Sequence, residues 1–331
     1  MAKFILKRVL LSIIILLFVM LCIYAIMHSL PTSYVEAKAL NLSQKQGQTK
    51  TYQELVSEMN ARYGLDKEII GGYFVYLGNF ITGNFGDSWY YTIPVTQEFN
   101  KTIWNSFILG VISFIVVMLI AIPLGVLAAR KQYSFSDYAV TVISLIGISL
   151  PTFFTASLLK LIFGTKLGWF EIAGMHNARL TPGVTDSFTY FLDGAAHFVL
   201  PALTLIIVSI GGMMRYTRTN MLEVLNSDYI RTARAKGVPE RRVINHHAFR
   251  NTLIPLVTVM GGALPGLFAG ALITETLFSI QGIGYASYHA MVSGDIPFTM
   301  FYLTFMAILT LLGNLMADIS YALVDPRVRV E

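Results

Sequence analysis

An all-α polytopic membrane protein with six transmembrane helices is the architecture this sequence predicts, and three observations predict it. Of the 331 residues, 55% are hydrophobic and only 13% charged, with a mean hydropathy of +0.61. A soluble domain of that length has no interior large enough to hide so much apolar surface. Six apolar runs, 9–30, 104–129, 138–163, 198–214, 252–277 and 300–324, approach or exceed the roughly 20 residues a helix needs to cross a hydrocarbon core. The fourth is the shortest. Backbone groups in lipid must be satisfied internally, and these runs lack the alternation of barrel strands, so they read as helices. Lys and Arg, finally, gather on one side of the runs.

Taken in order, Lys3, Lys7 and Arg8 precede the first span. The span is too long for a signal peptide and lacks a small-x-small cleavage site near 28–31. Cys22, inside it, is the single cysteine, so there is no disulfide framework and no cysteine metal site. The stretch 31–102 is too long for a simple connector and reads as a small folded external cap. Its first part, TSYVEAKALNLSQKQGQTK, is polar and reads as flexible. In TYQELVSEMNARYGLD, Leu55, Met59 and Tyr63 fall at helical spacing and Gly64 ends the helix. Arg130 and Lys131 follow span two, eight Lys and Arg lie in 215–250, the tail adds Arg327 and Arg329, and 278–299 has none. Both termini are therefore expected in the cytoplasm of a bacterial cell, beneath its plasma membrane. The net charge of +5 belongs to this topology and needs no nucleic-acid partner. The division expected is 1–30 for the N-terminal tail and first span, 31–103 for the cap, and 104–331 for a core carrying a cytoplasmic loop at 215–251.

That loop is the most informative stretch. In SDYIRTARAKGVPERRVINHHAFRN, Ser227 is placed to cap a helix whose first turn carries Asp228 and whose last carries Arg234 and Lys236, each sign matched to the helix dipole. Gly237 ends it, and Pro239 and Glu240 suit the first turn of a second helix running through Arg241, Arg242, His246 and His247. Charge alone is explained by topology; the spacing goes further. Arg231, Thr232 and Ala233, three residues, then Gly237 resemble the E-A-A-x-x-x-G loop of the membrane subunits of binding-protein-dependent ABC importers. YIRTARAKG is similar to the form in the dipeptide and oligopeptide permease branch.

Two further stretches carry the resemblance. ARYGLDKEIIGGYFVYLGNFITGNFGDSW resembles that branch's amino-terminal region, and ITETLFSIQGIGYASYHAMVSGDIP its E-T-x-F-x-x-x-G-x-G segment with the closing D-x-P. The resemblance implies the type I importer permease fold, with an external cap between helices 1 and 2 and a coupling helix between helices 4 and 5. It implies that Asp228, Tyr229, Arg231, Thr232, Ala233, Arg234, Lys236, Gly237, Val238 and Pro239 meet an ATPase. The partners implied are a second homologous permease, two cytoplasmic ABC ATPases and an extracytoplasmic substrate-binding protein, with a di- or oligopeptide as cargo. This chain itself is expected to hold no cofactor, ATP and Mg being bound by the partners. Nickel complexes, glutathione and oligosaccharides are alternative cargoes within the same family. The chain departs from the family pattern in three places. Arg231 replaces the acidic residue, His247, Ala248, Phe249 and Arg250 replace the I-x-L-P ending, and Leu30, Pro31, Thr32 and Ser33 replace a Pro-Gly-Asp-Pro element.

Ionisable groups inside spans are few. Glu275, Lys160 and Asp318 lie near span ends, from which each can reach the interface, and a structural or snorkelling role is favoured over substrate contact. Asn105, Ser149, Glu275 and Asn314 are the candidates for a translocation path, with helix packing the competing reading. Pro123, Pro151, Pro201 and Pro265 are placed to bend helices. Gly261, Gly262, Gly266 and Gly270 read as a close-packing face. Gly282, Ile283 and Gly284 read as a turn, and no G-x-x-x-x-G-K-[ST] occurs, so the chain has no Walker motif with which to bind ATP. His246 and His247 point about 100° apart on a helix, which disfavours joint metal ligation. Sparse charge and the lack of internal repeats argue against a secondary transporter. No protease-like motif supports a membrane enzyme.

Overall fold

The computed structural model describes residues 2–31, 33–44 and 50–324. Thr32, residues 45–49 of the polar stretch, and Arg327 and Arg329 lie outside the described residues. Helices dominate, and among the described residues the sole extended pairing is an isolated bridge between Asp87 and Pro94. Among the described residues, four helices are long and apolar enough to cross a membrane by themselves: Ile5–His28, Val95–Arg130, Ser187–Leu225 and Ile296–Ser320. Two bent pairs, Phe135–Ser149 with Thr152–Lys166 and Glu240–Gly262 with Leu264–Phe278, bring the number to six if each pair is one span.

The third and fifth spans are thus broken where the sequence predicts continuous runs. The third turns by 101° and the fifth by 41°. Pro151 supplies the physical reason in the third. It has no N–H and its ring disfavours helical backbone at the residue before it, and here Leu150 is extended (φ −79°, ψ 121°). Pro265 opens the second half of the fifth span, at its first turn. Pro123 and Pro201 sit inside unbroken helices. The fourth span, expected at 198–214, is part of a 39-residue helix that extends past the apolar run at both ends.

Two compact units are distinguishable: residues up to Trp104 with Ala286–Leu312, and Asn105–Tyr285 with residues from Gly313 on. In the first lie α1 (Ala2–His28), α2 (Ser33–Ser43), α3 (Tyr52–Tyr63) and α4 (Ile69–Ile81). The stretch expected to be flexible is helical over Ser33–Ser43, with Val35 and Ala39 buried on one face at i, i+4 spacing. α3 begins and ends as the sequence predicts. Thr51 and Glu54 form a reciprocal capping box, and Gly64 closes the helix at φ 67°. An aromatic core holds this unit together. Tyr24 is fully buried, donates its hydroxyl to Gly64 O (2.8 Å) and stacks on Tyr76 at 6.0 Å. Asp295 accepts from the Phe298 amide (3.2 Å), from the Tyr90 amide (3.0 Å) and from the Ser88 hydroxyl. It therefore caps the helix Ile296–Val324 and fastens the turn near 90 to it.

The second unit contains most of α5 (Val95–Arg130), then α6 (Phe135–Ser149) and α7 (Thr152–Leu159), which widens into a π-helical turn over Lys160–Lys166. α8 is Ser187–Leu225 and α9 is Asp228–Ala235. α10 (Glu240–Arg242) passes through a second π-helical turn, Val243–Ala248, into α11 (Phe249–Gly262). α12 (Leu264–Phe268) and α13 (Leu272–Phe278) follow in this unit, while α14 (Ile283–Val292) falls mostly in the first unit and α15 (Ile296–Val324) is divided between the two. Leu109, Val117, Ala121, Val140, Ala156, Leu200, Ile206 and Met214 form this unit's main core.

Candidate functional site

The charged loop is built as a helix, a left-handed glycine turn and a second helix. Ile230 anchors α9: it is fully buried and packs with Met221, Val243, Ile244 and Ala248. Ser227 stands at the N-cap with extended backbone, but its hydroxyl donates to Val224 O (2.6 Å) and does not cap α9. The cap expected from the sequence is therefore not formed, because α8 ends only two residues earlier and its open carbonyls compete for the hydroxyl. At the other end Gly237 has φ 76°. Its amide donates to Arg234 O (2.9 Å) and the Val238 amide to Ala233 O (3.2 Å), the paired bonds of a Schellman motif with Lys236 at the cap. Arg234 reaches across this turn and pairs with both oxygens of Glu240 (2.7 and 3.1 Å). Arg231 pairs loosely with Asp228 at 3.6 Å, both being well exposed. Tyr229, Thr232, Lys236 and Pro239 are exposed, while Ala233 and Val238 are half-buried against the Ile230 cluster. Arg241, Arg242 and His246 lie outside that cluster and are exposed.

A second arrangement surrounds Glu275. Its side chain is fully buried, and its carboxylate accepts from the Ser106 hydroxyl (2.7 Å), the Ala271 amide (2.9 Å) and the Tyr285 amide (2.8 Å). Ser106 in turn accepts from the Ile283 amide (2.7 Å). Lys160 donates to Leu277 O and lies 5.4 Å from the Phe278 ring, while Asn105 donates to Gln281 O (2.7 Å). Glu275 and Lys160 are thus turned into the fold, not out to an interface. Both tie down the segment 270–285. The Gly282–Ile283–Gly284 stretch serves the same end, because a Cβ on Gly282 would intrude on the Glu275 carboxylate.

A cavity of about 500 Å³ lies in the same unit, among α5, α8 and the break between α11 and α12. Its wall carries the hydroxyls of Ser106, Ser113 and Ser209, the side chains of Met118, Met213 and Phe114, and the backbone at Gly262 and Gly266. Asn105, Ser149, Glu275 and Asn314 are not among its lining residues. Asn105 and Glu275 meet at the segment 270–285; Ser149 and Asn314 are exposed elsewhere. The four glycines of span five separate by role. Gly261 lies against the Ala317 backbone and Gly270 against that of Gly284, as a packing face requires, whereas nothing comes within 4 Å of a Cβ built at Gly262 or Gly266.

Sequence reasoning missed Ser113, Ser209 and Met213, which are ordinary residues in apolar runs and acquire a shared surface only through packing. It also missed the pair Arg218–Asp137, whose two hydrogen bonds of 2.6 and 2.9 Å join α8 to the start of α6. A lone acid opening an apolar run was the available signal for that contact.

Comparison with known proteins identifies the family. The profile of the family described as "Binding-protein-dependent transport system inner membrane component" matches residues 121–330. The chain is 36% identical over 329 residues, 99% of each chain, to the oligopeptide transport system permease protein AppB of Bacillus subtilis (strain 168). It is 35% identical over 294 residues, 86% of this chain and 88% of the other, to the di/tripeptide transport system permease protein DppB of Pseudomonas aeruginosa (strain UCBPP-PA14). It is 32% identical over 280 residues, 83% and 86% respectively, to the oligopeptide transport system permease protein OppB of Haemophilus influenzae. A multi-pass helical chain with an exposed helix-glycine-helix loop and a match along nearly its full length belongs to the family of binding-protein-dependent transport system inner membrane components, whose members are non-catalytic membrane subunits.

Proposed function

We propose that this chain is one of two homologous permease subunits of an ATP-driven importer, and that together they form the path for di- and oligopeptides handed over by an external binding protein. Two cytoplasmic ABC ATPases supply the energy and hold ATP and Mg, and this chain holds no cofactor. Both termini lie in the cytoplasm of a bacterial cell. The peptide cargo is supported by the names of the relatives and by the cavity wall. No ionisable side chain is among its lining residues, and methionines and hydroxyls adapt to varied side chains.

One observation carries the coupling role. The helix that leaves the charged loop at Glu240 runs without a break to Gly262, where it meets the cavity. At 1.5 Å per residue that is about 35 Å of rigid connection between an exposed docking surface and the proposed path. The residues that meet the ATPase are Asp228, Tyr229, Arg231, Thr232, Arg234, Lys236, Gly237 and Pro239, with Ala233 and Val238 beneath them. ATPase closure acts on α9, and the motion reaches the cavity wall through α11. Inverting a 1:99 population needs about 5.5 kcal/mol of differential affinity, a sum that several exposed charges and a shape-specific turn can supply together.

The test is to purify the tagged chain gently from its native membrane, identify the co-purifying subunits and assay peptide-stimulated ATP hydrolysis. Two ATPases and a second permease with peptide stimulation are expected; a chain that purifies alone and transports would overturn the reading. In the reconstituted complex, Gly237→Leu is expected to insert normally and to lose transport. Since no atom lies within 4 Å of a Cβ there, the added side chain projects into the space assigned to the ATPase. Wild-type uptake by that variant would remove the loop from the coupling route.

A further inference from the structure

α4 is a 13-residue helix, IIGGYFVYLGNFI, with no charged residue. It is too short to cross a bilayer, since 13 residues at 1.5 Å span about 20 Å against about 30 Å of hydrocarbon. One face is committed to protein. Gly72, Tyr73 and Tyr76 are buried, the Tyr73 hydroxyl donates to Leu17 O (3.0 Å) and the Tyr76 hydroxyl reaches Thr304. The other face carries Ile70, Phe74 and Ile81 at 67, 63 and 75% exposure. With Gly78 they form one stripe at i, i+4, i+8 and i+11, within about 80° of arc.

What covers the stripe is indicated by its neighbour. α1 spans the membrane, and its Leu10, Ile14, Phe18 and Ile26 are 53 to 65% exposed, as a lipid-facing band is. Leu17 lies 11 residues before the end of α1, so Tyr73 makes its bond at a depth inside the apolar run. Both ends of α4 are polar: Lys67 O pairs with His28 at the end of α1, and Asn79 donates to Arg62 O. Tyr24, Tyr63 and Trp89 form one buried cluster with Tyr73 and Tyr76 of α4 itself, which commits that side of the helix to protein. A helix with polar ends, an aromatic protein face and an apolar outer face continuous with a span is built to lie along the interface.

We propose that α4 is an interfacial membrane helix whose Ile70–Phe74–Ile81 stripe is immersed in the acyl chains of the bilayer that α1 crosses. The region between the first two spans is then part lipid-embedded and not wholly a water-borne cap, and the turn that follows α4 is held at a fixed height above the membrane. This inference requires only that α1 crosses a bilayer, and stands whatever the cargo is.

The experiment places a nitroxide at Phe74→Cys in a Cys22→Ala background, in the complete transporter reconstituted into phosphatidylethanolamine–phosphatidylglycerol vesicles. Collision with oxygen and with a water-soluble nickel chelate is compared with Ile14→Cys as the lipid reference and Ser57→Cys on α3 as the water reference. The expected result is that position 74 follows position 14, with loss of nickel accessibility and retention of oxygen accessibility. A label that follows position 57 would overturn the proposal in favour of water. A label shielded from both reagents would overturn it in favour of a protein partner. Should Phe74→Cys fail to assemble, Ile81→Cys reads the same stripe.

Discussion

The charged loop at 227–242 and the segment 270–285 belong to the same unit, and each is a short helix joined to glycine turns, yet they are held together in opposite ways. In the loop the apolar side is secured through Ile230, and the polar side chains point outward with few partners of their own. In the segment the polar groups point inward, and one buried carboxylate organises three donors. Their glycines differ accordingly. Gly237 has open space where a Cβ would stand; Gly282 has the Glu275 carboxylate there. Glycine in the first case serves backbone conformation, in the second close approach. The proposed docking surface leaves its polar groups open, whereas the segment 270–285 satisfies its own within the chain.

The contrast is broken most directly at Glu275. Replacing it with Ala strands the Ser106 hydroxyl and two amides inside the fold, so a loss of about 3 kcal/mol or more is expected. Thermal melting of the detergent-solubilised complex measures it, and an unchanged midpoint would mean the segment is not held by its carboxylate. The glycine pair sharpens the comparison next. Gly282→Ala is expected to cost about 2 kcal/mol through overpacking, against about 1 kcal/mol for Gly237→Ala, which adds only left-handed backbone strain. Equal melting shifts would show that the two glycines do the same work. The smallest stability effect belongs to Arg234→Ala: its partner Glu240 is half-exposed, so the pair contributes less than about 1 kcal/mol. Its proposed role at the ATPase predicts a loss of stimulated ATP hydrolysis larger than the melting shift, and proportionate losses would reduce Arg234 to a structural brace.

Much of the fold was legible because its signals are local. Gly64 and Gly237 end helices where their sequence position says they should, and the Thr51–Glu54 spacing writes a capping box that forms. The apolar runs mark the spans by length alone. The breaks in spans three and five were harder to read, because Pro123, Pro151, Pro201 and Pro265 look alike in sequence and only two of them interrupt a helix. The outcome depends on what neighbouring helices offer the freed carbonyl groups. The cavity was harder still. Ser113 on α5, Ser209 on α8 and Gly262 at the end of α11 share a wall only because three distant stretches pack together. Glu275 was visible as an oddity, a carboxylate near a span end, but its partners lie 169 residues upstream at Ser106 and across a glycine turn at Tyr285.

The π-helical turn at Val243–Ala248 sets the angular phase of everything beyond it. Each residue in a wide turn advances the rotation by less than the about 100° of an α-helical residue. The face that Gly262 presents, 14 residues after Ala248, is thus dialled in at His246 and His247, far from the cavity itself. Deleting one residue between 243 and 248 would leave that phase nearly as it is, since five residues at about 100° each turn about as far as six in the wide turn; closing the turn to ordinary α geometry with all six residues kept would swing α11 about its own axis. The wall of the cavity would then be re-indexed without a single one of its residues being altered.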